Sequence, residues 1–259
     1  MKSRLTSILV LALLLLPACL LHGKNKRSAG TSLFDGKTLE GWDGNPKFWS
    51  VKEGVITGQT TESNPTQGNT FLIWRAGMLE NFQLDLEFRM VGGNSGVQYR
   101  SKDLGNWVVG GYQADIDAGF KFIGILYEER GRGILAMRGT KVEIGENGEK
   151  KTVGKTGEDK EILAGIKKEE WNSYSITAQG NHLVQKINGK VTVDVTDNQV
   201  SKRAMEGILA LQLHAGPPML VQFRKITLQE LKRTRSKKNS RQPRTRPRNR
   251  PKANSQKLK

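Results

Sequence analysis

Two short segments place polar side chains at every second position, where a β-strand would present them on one face. The first alternates Gln113, Asp115 and Asp117 with apolar residues or glycine, and the second alternates Gln212 and His214 with leucines. Successive side chains of a strand point to opposite faces, so each segment would pack one face on a core. A solvated sheet face usually carries Lys, Thr and Glu. Gln, Asp and His at these positions indicate a cleft for a polar ligand.

Three of the candidate residues could carry acid–base chemistry. His214 is the natural general base because an imidazole changes its charge near neutral pH, although a structural histidine at a strand end is the alternative. Asp115 would lie in mid-strand, where a carboxylate needs a partner, so we interpret it as functional. Glu128 lies in a charge-dense segment beside a strand end and could act as acid or base if partly buried. Asp117 begins a turn, where we expect it to bind backbone amides.

The same three residues could instead bind a metal ion. Asp115, Glu128 and His214 could hold a divalent cation through oxygen and nitrogen ligands. No compact metal-ligand motif occurs in the sequence, so a site for a polar organic ligand is favoured, and no cofactor is firmly implied.

Further polar and aromatic side chains could bind the ligand. Arg100 could orient an anionic intermediate, pair with Asp115, or form a structural ion pair inside the sheet. Trp107 lies in a loop, where its indole could stack on the ligand or be partly packed. The predicted ligand-binding residues are Asn94, Gln98, Arg100, Trp107, Gln113, Arg132 and Gln212.

The beginning of the 259-residue chain predicts export. Residues 1–23 combine Lys2 and Arg4 with an apolar stretch and then small residues, which is typical of a secretory signal. Cys19 at its end resembles a lipobox cysteine, so lipidation and ordinary cleavage nearby are alternatives. We therefore expect a periplasmic or cell-surface protein of a bacterium, attached to the membrane if Cys19 is lipidated. No other cysteine exists, which excludes a disulfide framework.

The end of the chain carries most of its charge. Residues 232–259 hold 13 Lys or Arg and no acid, and their composition predicts disorder. The chain has 42 basic and 25 acidic residues; without the tail and the two basic residues of the signal, 27 basic residues remain against the same 25 acids. The tail could contact anionic polymers or lipid headgroups, or act as an extension without a specific partner. On an exported protein we expect no specific nucleic-acid partner.

The segment between a short linker at 24–30 and the tail predicts one all-β domain over residues 31–231. Short alternating runs are separated by Gly-rich turns, and no long stretch shows helical periodicity, which indicates an antiparallel β-sandwich. Asn188-Gly189 predicts a tight hairpin turn. Residues 139–168, poor in apolar residues, predict a long surface loop or an insertion.

Five ordered segments resemble the 3-keto-disaccharide hydrolase domain family. They are residues 33–42, 49–56, 86–89 with 93–97, 171–174 with 188–189 downstream, and 211–217 with 221–226. The resemblance implies a concanavalin A-like lectin/glucanase fold, which is a jelly roll of two curved antiparallel sheets with the ligand site on the concave face. Where many members carry a Tyr-Glu-x-Gln-Ile run, this chain has Tyr112-Gln113-Ala114-Asp115-Ile116, so no carboxylate is carried over directly.

The resemblance also implies a carbohydrate ligand and 3-keto-glycosides as substrates. In such a sugar the C3 ketone acidifies the C2 proton, and its removal leaves an enolate that expels the C1 substituent before water adds back. The alternatives are a non-catalytic carbohydrate-binding module and an adhesive surface protein. A two-carboxylate glycosidase is disfavoured because Asp115-Ile116-Asp117 lacks the accompanying glutamates.

Overall fold

The computed structural model describes residues 30–232, which form seventeen strands and one short helix, α1 (Asp159–Ala164). The predicted signal with Cys19, almost all of the linker and all of the tail after Lys232 lie outside the described residues. Within residues 30–232, no helix has the length and apolar character needed to cross a bilayer. The predicted all-β sandwich is confirmed.

The larger sheet has ten strands. In chain order they are β1 (Thr31–Ser32), β3 (Trp49–Lys52), β4 (Val55–Gln59), β6 (Phe82–Val91), β11 (Thr140–Ile144), β12 (Lys150–Lys155), β13 (Asn172–Gln179), β14 (His182–Ile187), β15 (Lys190–Asp197) and β17 (Leu220–Glu230). Their spatial order is β12-β11-β15-β14-β13-β6-β17-β4-β3, with β1 paired to β17. All pairs are antiparallel except β11 with β15.

The smaller sheet has seven strands and carries the candidate site. They are β2 (Trp42–Asp43), β5 (Thr70–Leu79), β7 (Asn94–Asp103), β8 (Val109–Asp117), β9 (Leu126–Glu129), β10 (Gly133–Ala136) and β16 (Gly207–Leu213). The spatial order β10-β9-β8-β7-β16-β5-β2 makes β7 the neighbour of both β8 and β16. The two polar segments identified in the sequence, which lie on β8 and β16, are therefore separated by a single strand.

The main core fills the space between the sheets. Along β6 every second residue is buried, so Leu84, Leu86 and Phe88 pack inward while the residues between them are partly exposed. The smaller sheet contributes Val97, Leu211 and other apolar side chains to the same cluster. Burial of apolar area at about 25 cal/mol per Å² makes this inward packing the main determinant of which face each strand presents outside.

One predicted element is wrong and one predicted turn is confirmed. Residues 139–168 do not form a long loop, because they contain β11, β12 and α1. Val142 and Ile144 of β11 are buried in the core, while the lysines and glutamates around them lie near the edge of the sheet and mask the pattern. Asn188-Gly189 forms the predicted hairpin turn, with φ of 48° and 80°.

Candidate functional site

A cavity of about 640 Å³ lies on the face of the smaller sheet that points away from the core. Tyr112, Ala114 and Ile116 of β8 pack inward, so alternation aims Gln113 and Asp115 into the cavity. The lining comes from β7–β10, from β16, and from the segments next to β5 and β17: Asn69, Gly93, Asn94, Gln113, Asp115, Asp117, Phe122, Ile125, Tyr127, Glu129, Ile134, Gln212, His214, Ala215, Gly216, Pro217 and Met219. The volume falls within the usual range for small-molecule sites.

Asp115 is the most perturbed carboxyl in this cavity. Its side chain is 4 % exposed and accepts hydrogen bonds from Gln113 Nε2 at 2.5 Å and from Asn94 Nδ2 at 3.3 Å. Burial raises the pKa of Asp115 from its usual 3.8 to about 7, and the two amide donors oppose that shift only in part. Asp115 can therefore hold or release a proton near neutral pH.

A chain of hydrogen bonds fixes the orientation of Gln113 beneath Asp115. Ser101 Oγ donates to Gln98 Oε1 at 2.7 Å, and Gln98 Nε2 donates to Gln113 Oε1 at 2.7 Å. Because Gln113 accepts from Gln98 through its oxygen, its NH₂ group is directed at Asp115. Gly96 makes room for this arrangement, since a Cβ there would lie 2.5 Å from Gln113 Cγ.

His214 directly follows the last residue of β16 and lines the same cavity. Its Nδ1 is 2.5 Å from the carbonyl oxygen of Ala215, which can only accept, so Nδ1 carries the proton. The neutral ring then has its lone pair on Nε2, which has no hydrogen-bond partner within residues 30–232. Nε2 is the atom that a general base requires.

Glu129 and Tyr127 also line the cavity, although neither was selected from the sequence. Glu129 accepts hydrogen bonds from Asn69 Nδ2 at 3.3 Å and Gln212 Nε2 at 3.5 Å. Gln212 is fully buried, and its Oε1 has no partner among the described residues. The alternation of β9 could have identified Glu129, because Leu126 packs in the core and the second and fourth residues of the strand must face outward.

The same alternation turns Glu128 away from the cavity. Glu128 lies opposite Tyr112 in the strand pairing and faces the core side, where Arg132 Nε contacts its Oε2 at 2.6 Å. Arg132 also pairs with Asp197 of β15 at 2.7 Å, so it joins the two sheets and does not line the cavity. The predicted placement of Glu128 and Arg132 in the ligand site is therefore wrong.

Asp115, Glu128 and His214, considered above as possible ligands of a divalent cation, do not come together in the cavity. With Glu128 on the other face, Asp115 and His214 lack the third predicted ligand. Across residues 30–232, no group of three or more His, Cys, Asp or Glu side chains is arranged to hold a metal ion.

Arg100 and Trp107 also lie outside the cavity lining. The register of β7 and β8 shifts between Tyr99 and Lys102, and Arg100 has a φ of 48°, which breaks the alternation that predicted its direction. Its buried guanidinium donates to the carbonyl oxygens of Glu80, Gly180 and Ala204. Trp107 lies in a neighbouring depression.

The remaining predicted ligand-binding residues divide into two groups. Asn94, Gln113 and Gln212 line the cavity together with Asp115 and His214. Gln98 lies one layer behind, where it supports Gln113. Asp117 binds the backbone amides of Gly119 and Phe122 at 3.2 and 2.9 Å, as predicted for a turn residue.

The family model of the 3-keto-alpha-glucoside-1,2-lyase-like domain matches residues 29–229. The chain belongs to this family. All residues that line the cavity lie within the matched part, so the lyase-like domain includes both the sandwich and the candidate site.

Solved structures support the fold of this lyase-like domain. Two proteins from Parabacteroides distasonis ATCC 8503, both provisionally assigned as glycosyl hydrolases, superpose with TM-scores of 0.51. One is 22% identical and covers 78% of this chain and 98% of its own; the other is 17% identical and covers 79% and 94%. These identities support the jelly-roll fold alone. No curated protein matches the chain.

Proposed function

We propose that the cavity binds a 3-keto-α-glucoside and eliminates its C1 substituent, after which water adds to give net hydrolysis. The observation that carries this proposal is that one cavity of sugar-binding size contains both the buried Asp115 and His214, whose Nε2 has no hydrogen-bond partner among the described residues. The family supplies the reaction class, and the two P. distasonis proteins agree with a carbohydrate substrate.

His214 acts as the base in this mechanism. Nε2 removes the C2 proton, and the electron pair of that C–H bond moves to form the C2=C3 enolate. The enolate then collapses to a C3 ketone and a C1=C2 double bond as the C1–O bond breaks. The imidazolium formed in the first step returns its proton to the departing oxygen. Addition of water places a hydroxyl on C1 and a proton on C2.

Protonated Asp115 stabilises the negative charge that develops on the C3 oxygen. None of the cavity-lining residues within the described range is Lys or Arg, so a side-chain cation is not available there for this task. A carboxylic acid kept neutral by burial can donate a strong hydrogen bond to an enolate oxygen. The raised pKa of Asp115 keeps it protonated up to about pH 7.

The other polar groups would hold the sugar hydroxyls. Gln212 Oε1 is a buried acceptor with no partner within residues 30–232, and an unmet acceptor of this kind is costly unless a ligand donates to it. Glu129 and Asn94 add further acceptor and donor atoms along the wall. A polyol with several hydroxyl groups fits this lining.

The test is turnover of methyl 3-keto-α-glucoside by the full chain and by His214→Ala. We expect the variant to lose at least about 100-fold in kcat, because general base catalysis contributes about 10²–10⁴-fold. Its thermal midpoint and its affinity for the unoxidised methyl α-glucoside should change little. Retained turnover in the variant would overturn the role of His214. If the wild-type chain binds glycosides and cleaves none of a 3-keto-glycoside panel, the domain is a binding module.

A further inference from the structure

Asn69 lies beside the point where the chain leaves β16. Thr70, the first residue of β5, pairs with Leu213, the last residue of β16. Continuation of this antiparallel register places Asn69 opposite His214. The partly buried side chain of Asn69 lines the same cavity as His214, and it was not selected from the sequence.

The side-chain amide of Asn69 is held at both ends by groups that have only one hydrogen-bonding role. Its Oδ1 accepts from the backbone amide of Ala215 at 3.0 Å, and an N–H can only donate. Its Nδ2 donates to Glu129 Oε1 at 3.3 Å, and a carboxylate can only accept. A reversed amide would oppose donor to donor and acceptor to acceptor, so the contacts fix one orientation of Asn69.

The contact with Ala215 anchors the backbone that follows His214. Of residues 214–218, two are prolines without an N–H group, and Gly216 has a φ of 146°, a conformation in which glycine is permissive. Within the described chain, the hydrogen bond from Ala215 to Asn69 is the only one that joins the backbone of residues 214–218 to another segment. The position of this backbone therefore depends on Asn69.

Ala215 also supplies the carbonyl group that sets the tautomer of His214. Its oxygen is 2.5 Å from Nδ1, which keeps the ring proton on Nδ1 and the lone pair on Nε2. The N–H that contacts Asn69 and this carbonyl group belong to the same residue, so an anchor on one restricts movement of the other. Glu129, Asn69, Ala215 and the His214 ring thus form one connected series of contacts.

We propose that Asn69 is a positioning residue for His214. By holding Ala215 it maintains the tautomer with the proton on Nδ1 and directs Nε2 into the cavity. The inference rests on the proposed function because it takes His214 as the base. The tautomer, however, is a property of the chain without substrate and can be measured whether or not the reaction occurs.

The test determines which ring nitrogen of His214 carries the proton. Long-range ¹H–¹⁵N NMR spectra of the full chain at about pH 9, where an imidazole is neutral, distinguish the two nitrogens, and the spectrum of His214→Ala assigns the signal. Wild type should hold the proton on Nδ1. Asn69→Leu should give a mixture of the two tautomers, and an unchanged tautomer in that variant would overturn the inference.

Asn81→Leu is the matched control. Asn81 Oδ1 accepts from the Gly180 amide at 2.7 Å and its Nδ2 donates to Glu80 Oε1 at 3.2 Å, which is the same pair of contacts outside the cavity lining. This variant should keep the His214 tautomer of wild type. An equal change in Asn81→Leu and Asn69→Leu would overturn a specific role of Asn69.

A paired substitution tests rescue. Asn69→Asp combined with Glu129→Gln exchanges the carboxylate and the amide, so the acceptor for the Ala215 amide and the donor to it are both retained. We expect the double variant to recover the wild-type tautomer, and thermal melts check that each variant folds. A folded double variant with the tautomer mixture of Asn69→Leu would overturn the inference. If Asn69→Leu does not fold, Asn69→Ser, which is too short to reach both partners, replaces it.

Turnover separates positioning from direct contact with the sugar. Asn69→Leu should lower kcat for methyl 3-keto-α-glucoside about three- to tenfold with little change in KM, as expected for loss of one hydrogen bond that supports the base. A raised KM with unchanged kcat would mean that Asn69 binds the sugar and would overturn the inference. If wild type cleaves no 3-keto-glycoside, the proposed function fails, and the NMR comparison still supports or overturns the role of Asn69.

Discussion

Asp115 and Glu128 are buried carboxyl groups on opposite faces of the smaller sheet, and Glu128 shares the Arg132 guanidinium with Asp197 of the larger sheet. Asp115 faces a cavity whose described lining contains no Lys or Arg, and only amide groups donate to it. Glu128 and Asp197 lie between the sheets, where Arg132 contacts both at 2.6 and 2.7 Å. Burial alone would lower the pKa of Arg132, but its hydrogen bonds to Asp197 and Glu128 raise it.

The comparison shows that burial by itself does not mark a reactive carboxyl. A buried carboxylate with a cationic partner is held as an ion and joins parts of the structure. One that is buried with neutral donors has its pKa raised towards neutrality and can transfer or share a proton. Asp115 therefore has the properties of a functional acid, and Glu128 those of a structural ion.

The largest expected effect is on turnover and distinguishes these two carboxyls. Asp115→Ala should lower kcat about 10²–10³-fold, because removal of one donor to a developing oxyanion has that cost. Asp115→Asn, which keeps a donor, should recover part of this loss. Glu128→Gln should lower stability and keep turnover per folded molecule within about threefold. Equal losses of turnover in Asp115→Ala and Glu128→Gln would remove the distinction.

Removal of the Arg132 guanidinium should show that its ion pairs with Glu128 and Asp197 stabilise the fold. Arg132→Met leaves Glu128 and Asp197 buried without their partner, so we expect a loss of about 3–5 kcal/mol in the free energy of unfolding. Urea denaturation at pH 7 measures it. The matched change Lys155→Met breaks an exposed pair with Glu158 at 2.8 Å and should cost less than about 1 kcal/mol. A similar small cost for both would contradict a structural role of Arg132.

The raised pKa of Asp115 should also appear as a pH-dependent stability. The unfolded chain loses the Asp115 proton near pH 3.8 and the folded chain near 7, so ionisation favours unfolding increasingly between these values. Asp115→Asn removes this penalty, and its stability relative to wild type should rise from pH 4 to pH 7 by up to about 4 kcal/mol, at about 1.4 kcal/mol per pKa unit. Urea melts at pH 4, 5.5 and 7.5 test this. If the stability difference between Asp115→Asn and wild type is the same at all three pH values, the pKa of Asp115 is not raised in the folded chain.

The smallest expected effect is on the pH profile, and it concerns the Gln113 side-chain amide that donates to Asp115. Gln113→Leu removes a donor to the ionised form, so the alkaline limb of the kcat/KM profile should move up by about one pH unit. Gln83→Leu is a matched control, because Gln83 Nε2 donates to Asp85 with the same spacing at 2.8 Å on the other sheet. Gln83→Leu should leave the alkaline limb of the kcat/KM profile unchanged. If Gln83→Leu and Gln113→Leu shift this limb by the same amount, the contact between Gln113 and Asp115 does not set the pKa of Asp115.

The sequence was sufficient to predict the sandwich and the polar faces of β8 and β16. Period-two alternation fixed the directions of Gln113, Asp115 and Gln212 because apolar neighbours such as Leu211 must face the core. The same rule would have selected Glu129 over Glu128, since Leu126 shares its face with Glu128.

Other features depend on local backbone geometry that alternation cannot show. The irregularity after Tyr99 redirects Arg100, and a non-glycine residue with positive φ gives no signal in the sequence. Trp107 is held by its hydrogen bond to Asp43, which pairs with Arg75, and both residues lie far from Trp107 along the chain. Tertiary contacts of this kind became visible only in the structure.

The most direct test is the pKa of the Asp115 carboxyl, measured by a ¹³C NMR pH titration of the full chain with Asp115→Asn to assign the resonance. We expect a midpoint near 7, because burial dominates and no cation within the described lining offsets it. A midpoint near the ordinary value of 3.8 would mean that Asp115 is ionised throughout the neutral range and cannot donate a hydrogen bond to the enolate oxygen.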